Sequence, residues 1–248
     1  MCKILLISGH GGGDPGAIGT HAGVTYKEAE LARELTSALK HDLEMMYKAV
    51  VDRYDTSRNA YYDYQNGSYA VDFSGYDYVL EVHFNAFVAG SDGKLKGTEI
   101  YVPSTQKDRS AATSIVEQIA QIGFPNRGVK VYNWAVISAV QRRGVNAALL
   151  EVCFIDDAED MNRYLQNLGG VSLRIAAGLA EGLLIEEADT SETAMSAEEI
   201  TIENAIRDIG MNSPDYWLKV LQGAEPASGA NVKALMDKYH NALNAAKI

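Results

Sequence analysis

The sequence predicts an α/β protein, a mostly parallel sheet flanked by helices, with a small all-helical domain after it. Three observations carry this reading. Short apolar runs recur through the first 185 residues, helical periods alternate with them, and a polar, acidic stretch then leads into a tail with helix signals only. Unbroken runs such as Ile4-Leu5-Leu6-Ile7 suit strands covered on both faces, the situation in parallel sheets.

The first run stops at Ser8-Gly9 and is the first predicted strand; a glycine-rich loop, GHGGGDPGA over residues 9–17, follows it. Across residues 25–47 the period becomes helical, with Leu31, Leu35, Leu39, Leu43 and Met46 on one face. Val50-Val51 starts another strand. Residues 53–75, rich in Tyr, Asn, Asp and Ser, read as a long connection. Strands are expected at 76–83, 98–102 and 147–154, and helices at 107–122, 158–168 and 173–184. The segment IEEADTSETAMSAEE has no apolar period, which gives one domain over residues 1–185, a linker over 186–196 and a helical domain over 197–248. Ser196 with Glu199 forms the capping pattern that opens the last.

A net charge of −11 argues against a nucleic-acid partner and against docking on anionic membranes, since both rely on Lys and Arg. Two cysteines are too few for a disulfide framework and lie in apolar runs. No run is long enough to insert in a membrane, and residues 4–7 are too short for the core of a signal peptide. The expectation is a protein made in the cytoplasm without a signal peptide.

A phosphate loop would need Gly-Lys-Ser/Thr at a fixed spacing, whereas here Asp14 and Pro15 follow the glycines. A metal fits better. His10 lies two residues beyond the first apolar run and His83 ends another, and sites in open α/β sheets collect at the carboxyl ends of strands. The stripe through Ala32, Leu35 and Leu39 runs back through Glu28, which sets a carboxylate on the inward face where an unpaired charge is costly. Two histidines and a glutamate leave one position open on tetrahedral zinc, the ligand set of a catalytic site. Glu151, inside the apolar run AALLEVCF, is the candidate general base and acid, so the reaction class is metal-assisted hydrolysis of an amide or ester. Glu81 is assigned to a structural ion pair and His21 to a solvated turn. Tyrosines crowd residues 54–78, and packing over the sheet is favoured for them over stacking on a sugar.

Four segments carry these residues: GHGGGDPGA, YKEAELA, HFNA over residues 83–86, and LLEVCFIDDAEDM from Leu149. In order and spacing they resemble the zinc-dependent N-acetylmuramoyl-L-alanine amidases of bacteriophage endolysins and bacterial autolysins. The resemblance implies that His10, Glu28 and His83 bind Zn2+, that Glu151 is catalytic, and that Asn85 orients substrate or a ligand. It implies a peptidoglycan substrate, cut at the amide between N-acetylmuramic acid and L-alanine, by an enzyme of phage or prophage endolysin type that reaches the wall after release. Two rivals stand beside it. One is a zinc peptidase or carboxypeptidase, with Arg142-Arg143 to hold a terminal carboxylate; the other is a non-catalytic wall-binding protein. For residues 197–248 the expectation is wall binding, or self-association into a homo-oligomer.

Overall fold

A computed structural model describes residues 1–87 and 95–188. The helical domain expected over 197–248, its wall-binding or self-association role, and most of the linker lie outside the described residues. Met1–Tyr164 and Gly170–Ala188 form one compact unit.

The elements run β1 (Cys2–Ser8), β2 (Ile18–His21), β3 (Val24–Lys27), α1 (Glu28–Met46), β4 (Ala49–Arg53), α2 (Ala60–Asn66), a 3-10 turn (Phe73–Gly75), β5 (Tyr78–Asn85), β6 (Thr98–Val102), α3 (Ser110–Ala120), β7 (Asn126–Val131), α4 (Ala135–Gln141), β8 (Asn146–Phe154), α5 (Ala158–Gln166) and α6 (Leu168–Leu183). Six strands form one sheet in the order β4-β1-β5-β8-β6-β7. All neighbours are parallel except β6 and β8, so β6 and β7 run against the other four. The mostly parallel sheet flanked by helices is therefore present.

The apolar runs become central strands because both faces are covered. Ile4, Leu5, Leu6 and Ile7 are each fully buried. On one face Leu5, Ile7, Val79, Ala147 and Leu149 pack with Tyr54, Phe73, Val136, Ile137 and Val140. On the other, α1 lies against β1, β4 and β5, and α3 against β6 and β7. Of the predicted stripe of α1, Leu31, Leu35, Leu39 and Leu43 are buried against the sheet, whereas Met46, in the last turn, is exposed.

Five elements depart from the sequence reading: β2, β3, α2, β7 and α4. Residues 24–27 form β3, paired with β2 through a tight turn at Ala22 and Gly23, both at positive φ (49° and 79°), so α1 starts at Glu28. The long connection contains α2, capped by Asn59, whose side chain accepts from the Tyr61 amide. Strand β7 and helix α4 were not expected. Among the described residues no helix is long and apolar enough to cross a membrane.

Helix α6 sits close against α3: a Cβ on Gly178 would lie 2.5 Å from Ile115 Cα, and one on Gly182 would lie 2.3 Å from Ala111 Cα. Gly178→Ala should therefore push the helices apart and lower the unfolding free energy by about 1–3 kcal/mol, read from urea midpoints. An unchanged midpoint would show that the helices separate without cost.

Candidate metal centre and active site

Because β1, β5 and β8 are parallel neighbours, their carboxyl ends open on one edge of the sheet. The chain leaves β1 with the Gly9 amide donating to Val82 O at 2.9 Å, which carries the pairing with β5 one step further. A Cβ on Gly9 would stand 2.4 Å from His83 Cε1, so only glycine lets the backbone pass the ring. His10 then takes a positive φ of 59°, and the loop closes where Gly11 and Asp14 exchange backbone hydrogen bonds of 2.9 and 3.1 Å. Further on, a Cβ on Gly16 would lie 2.7 Å from Glu28 Oε2.

This bend brings His10 to Glu28, the first residue of α1, and β5 brings His83 to the same carboxylate. His10 Nε2 lies 3.0 Å from Glu28 Oε2, and His83 Nδ1 lies 2.8 Å from Glu28 Oε1. Ligand atoms of all three groups fall within 4.8 Å of one another, and Glu28 is buried. The second nitrogen of each ring faces another carboxylate: His10 Nδ1 is 2.8 Å from Asp14 Oδ2, and His83 Nε2 is 3.3 Å from Glu81 Oε1. Two imidazoles and a carboxylate, each ring backed by a further acid, are a donor set suited to a divalent cation.

Glu151 pairs in register with His83 on one side and with Glu99 of β6 on the other. Its Oε2 is buried and accepts no hydrogen bond among the described residues. Burial, with the charges of Glu28, Glu99 and Glu81 outweighing the pull of His83, raises its carboxyl to about 7. Glu28 goes the other way. Burial opposes its charge, but hydrogen bonds to His10 and His83 hold it far below the usual carboxylate range. Burial likewise disfavours a charged His83, yet Glu28 and Glu81 keep that ring well above its ordinary value. Glu99 is buried and saturated: Asn85 donates to it at 2.9 Å, Tyr101 at 2.7 Å and Arg127 at 2.5 Å, with Lys130 on the same oxygen as Arg127.

Residues 4–184 match the family model described as N-acetylmuramoyl-L-alanine amidase. The chain belongs to this amidase family. A sporulation-specific N-acetylmuramoyl-L-alanine amidase of Bacillus subtilis is 30% identical over 186 residues, covering 74% of this chain and 67% of that protein. A probable autolysin of Staphylococcus aureus is 27% identical, covering 71% of this chain and 38% of its own length. Among solved structures, the catalytic domain of the N-acetylmuramoyl-L-alanine amidase CwlV from Bacillus (Paenibacillus) polymyxa var. colistinus shares the fold, with a TM-score of 0.58 and 21% identity over 74% of this chain and 96% of that one.

In this amidase the sequence-predicted His10, Glu28 and His83 meet, and Glu151 stands beside them. Asn85 reaches Glu99 rather than either histidine. Glu81, expected in a structural ion pair, pairs with His83 and so lies at the site itself, because alternation along β5 places residues 81 and 83 on one face. Arg142-Arg143 is not at the site. Those residues follow α4 just before β8 begins, about 16 Å of strand rise from Glu151, and Arg143 lies over the rings of Tyr69 and Phe73. The tyrosines divide: Tyr54 and Tyr78 are core, whereas Tyr61 and Tyr62 line the cleft with Ser8, His10, Asp14, Asn59, Glu81 and His83. His21 ends β2 and pairs with Val24, and it is not part of the His10, Glu28 and His83 group.

The sequence reading missed Glu99, Arg127 and Lys130. The signal was present in TEIYV, where an acid alternates onto the face of Tyr101, just as Glu151 interrupts its own strand. Gly9→Ala should displace His83 and reduce divalent-cation uptake at least tenfold, measured by metal analysis after dialysis. Gly75→Ala, where a Cβ meets open space, should leave it unchanged. Equal uptake by both variants would mean that the Gly9 contact does not set the position of His83.

Proposed function

We propose that the chain hydrolyses the amide joining N-acetylmuramic acid to L-alanine in peptidoglycan, with zinc held by His10, Glu28 and His83 and with Glu151 as the proton carrier. The observation that supports this most strongly is the shared Glu28 carboxylate, whose two oxygens each face one histidine while a separate acid backs each ring. Three protein ligands of this type leave a coordination position free, as catalytic rather than structural zinc requires. Zinc held by these residues would polarise the scissile carbonyl and lower the pKa of water beside it.

The residues then divide the work. Asp14 fixes the His10 ring with Nε2 toward Glu28, and Glu81 does the same for His83 with Nδ1 inward. Glu151 takes the proton of the attacking water and returns it to the amine of the leaving L-alanine, which departs as a neutral N-terminus. Its Oε2, buried with no donor among the described residues, suits both halves of that cycle, since no hydrogen bond there favours either its charged or its neutral form. Glu99 is excluded from the same task by its four donors.

Digestion of purified walls, followed by mass analysis, tests the reaction. Whole stem peptides and intact glycan should appear, chelator should stop their release, and zinc should restore it. Cuts within the peptide or the glycan would overturn the proposal. Glu151→Gln should keep the metal and lower kcat by about 100-fold to 10,000-fold; turnover near the wild-type value with metal retained would remove Glu151 from its role.

The pH profile follows from the same carboxyl. Glu151 must be ionised to accept a proton, and burial raises its carboxyl to about 7, above its ordinary 4.5. A neighbouring cation favours the charged form, so it moves that value downward. The acidic limb of kcat/KM should therefore lie between 4.5 and about 7, with activity lost as pH falls through it, and it should be absent from the residual activity of Glu151→Gln.

A further inference from the structure

The catalytic edge has two unlike walls. On the β1 side stands α2, whose Tyr61 and Tyr62 rings are exposed and line the cleft beside His10 and His83. Tyr61 packs on Tyr62 and Tyr64, with ring centroids 6.2 and 6.4 Å apart, so the rings form a surface rather than isolated side chains. On the far side of Glu151 stand β6 and β7, with Arg127 and Lys130 on the single carboxylate of Glu99. Two cations share the single carboxylate of Glu99, and the next acid, Glu151, stands across from it on β8. Both cations remain partly open to solvent, with side-chain exposures of 24% and 36%. The sheet order puts the reacting groups between the walls: His10 after β1, His83 on β5, Glu151 on β8, then Glu99 on β6 and the cations on β7.

The substrate is equally two-sided. On one side of the scissile amide, a lactyl length away, lies a sugar ring with an apolar C–H face; on the other lies a peptide that carries free carboxylates. Aromatic rings suit the first and partly exposed cations the second. Glu99 is two strands from His83, roughly 10 Å at about 4.8 Å per strand. An extended peptide covers that distance in about three residues. We propose that the substrate lies across the strand ends in one direction, with the muramoyl sugar on Tyr61 and Tyr62 and a carboxylate of the second or third stem-peptide residue at Lys130 and Arg127.

This orientation rests on the amidase reading of the site. The test uses the full chain and three soluble substrates: a muropeptide with free carboxylates at those residues, the same muropeptide with carboxamides there, and the free-carboxylate peptide on a lactoyl group without the sugar. Wild type should prefer carboxylate over carboxamide about fivefold in kcat/KM, the size expected of a partly exposed ion pair. It should prefer the sugar-bearing substrate about tenfold, the size of one aromatic contact.

Lys130→Met leaves Glu99 paired with Arg127, so the buried carboxylate keeps a cation. It should abolish the carboxylate preference, mainly through KM, and spare the sugar preference; Lys130→Arg should restore the first. Tyr61→Ala with Tyr62→Ala should do the converse, and the double Phe variant should recover the sugar preference. A crossed pattern, or equal loss on all three substrates, would overturn the orientation. Absence of stem-peptide release by wild type from every muropeptide would instead remove the amidase reading beneath it.

Discussion

The structure depends on one buried carboxylate. Glu28 receives His83 and the Phe84 amide on Oε1, and His10 and the Ala17 amide on Oε2. A lone charge in that position would be costly, but here it is met on every side and sits at a helix N-terminus, where a negative charge is favoured. The same residue is the first of α1. Lys27 offers the helix no side-chain cap; instead the Glu28 and Ala29 amides donate to the carbonyls of Ala17 and Pro15 at 2.9 and 3.0 Å. The glycine loop thus caps the helix with its own backbone, and helix, loop and β5 converge on one group.

The second constraint is the reversal of β6. Were it parallel to β8, its first residues would lie at the opposite end of the sheet from Glu151. Running antiparallel, it sets Glu99 directly across from Glu151. Two carboxylates on adjacent strands then experience opposite surroundings. Glu99 has four donors and lies below its ordinary value despite burial, while Glu151 has none on its buried oxygen and rises to about 7. Environment alone separates a structural acid from one able to carry a proton.

What the sequence disclosed follows from the same physics. Apolar runs of central strands, the phase of α1 and an acid within an apolar strand are local signals, and they pointed to His10, Glu28, His83 and Glu151. Elements that lack such a signal stayed hidden. Strand β7, NRGVKV, sits at the sheet edge with no fully buried position, and α4 is seven residues long, too short to display a helical period against its apolar background. The β2–β3 hairpin lies among glycines and runs straight into a helix. Glu81 is half of an ion pair, as expected, but alternation reveals only which face a residue occupies, not that the partner there is His83.

Asn59 joins the two halves of the chemistry. Its side-chain oxygen accepts from the Tyr61 amide at the start of α2, and its nitrogen donates to Asp14 Oδ2 at 3.2 Å. Asp14 in turn holds His10. A seven-residue helix has little stability of its own, so its cap is a large part of what keeps α2 in place. The helix that carries the exposed tyrosines and the ring that approaches Glu28 are therefore positioned through one amide. Any shift of α2 acts on the hydrogen bond that fixes His10, so the wall beside the site and the geometry of the site are not independent.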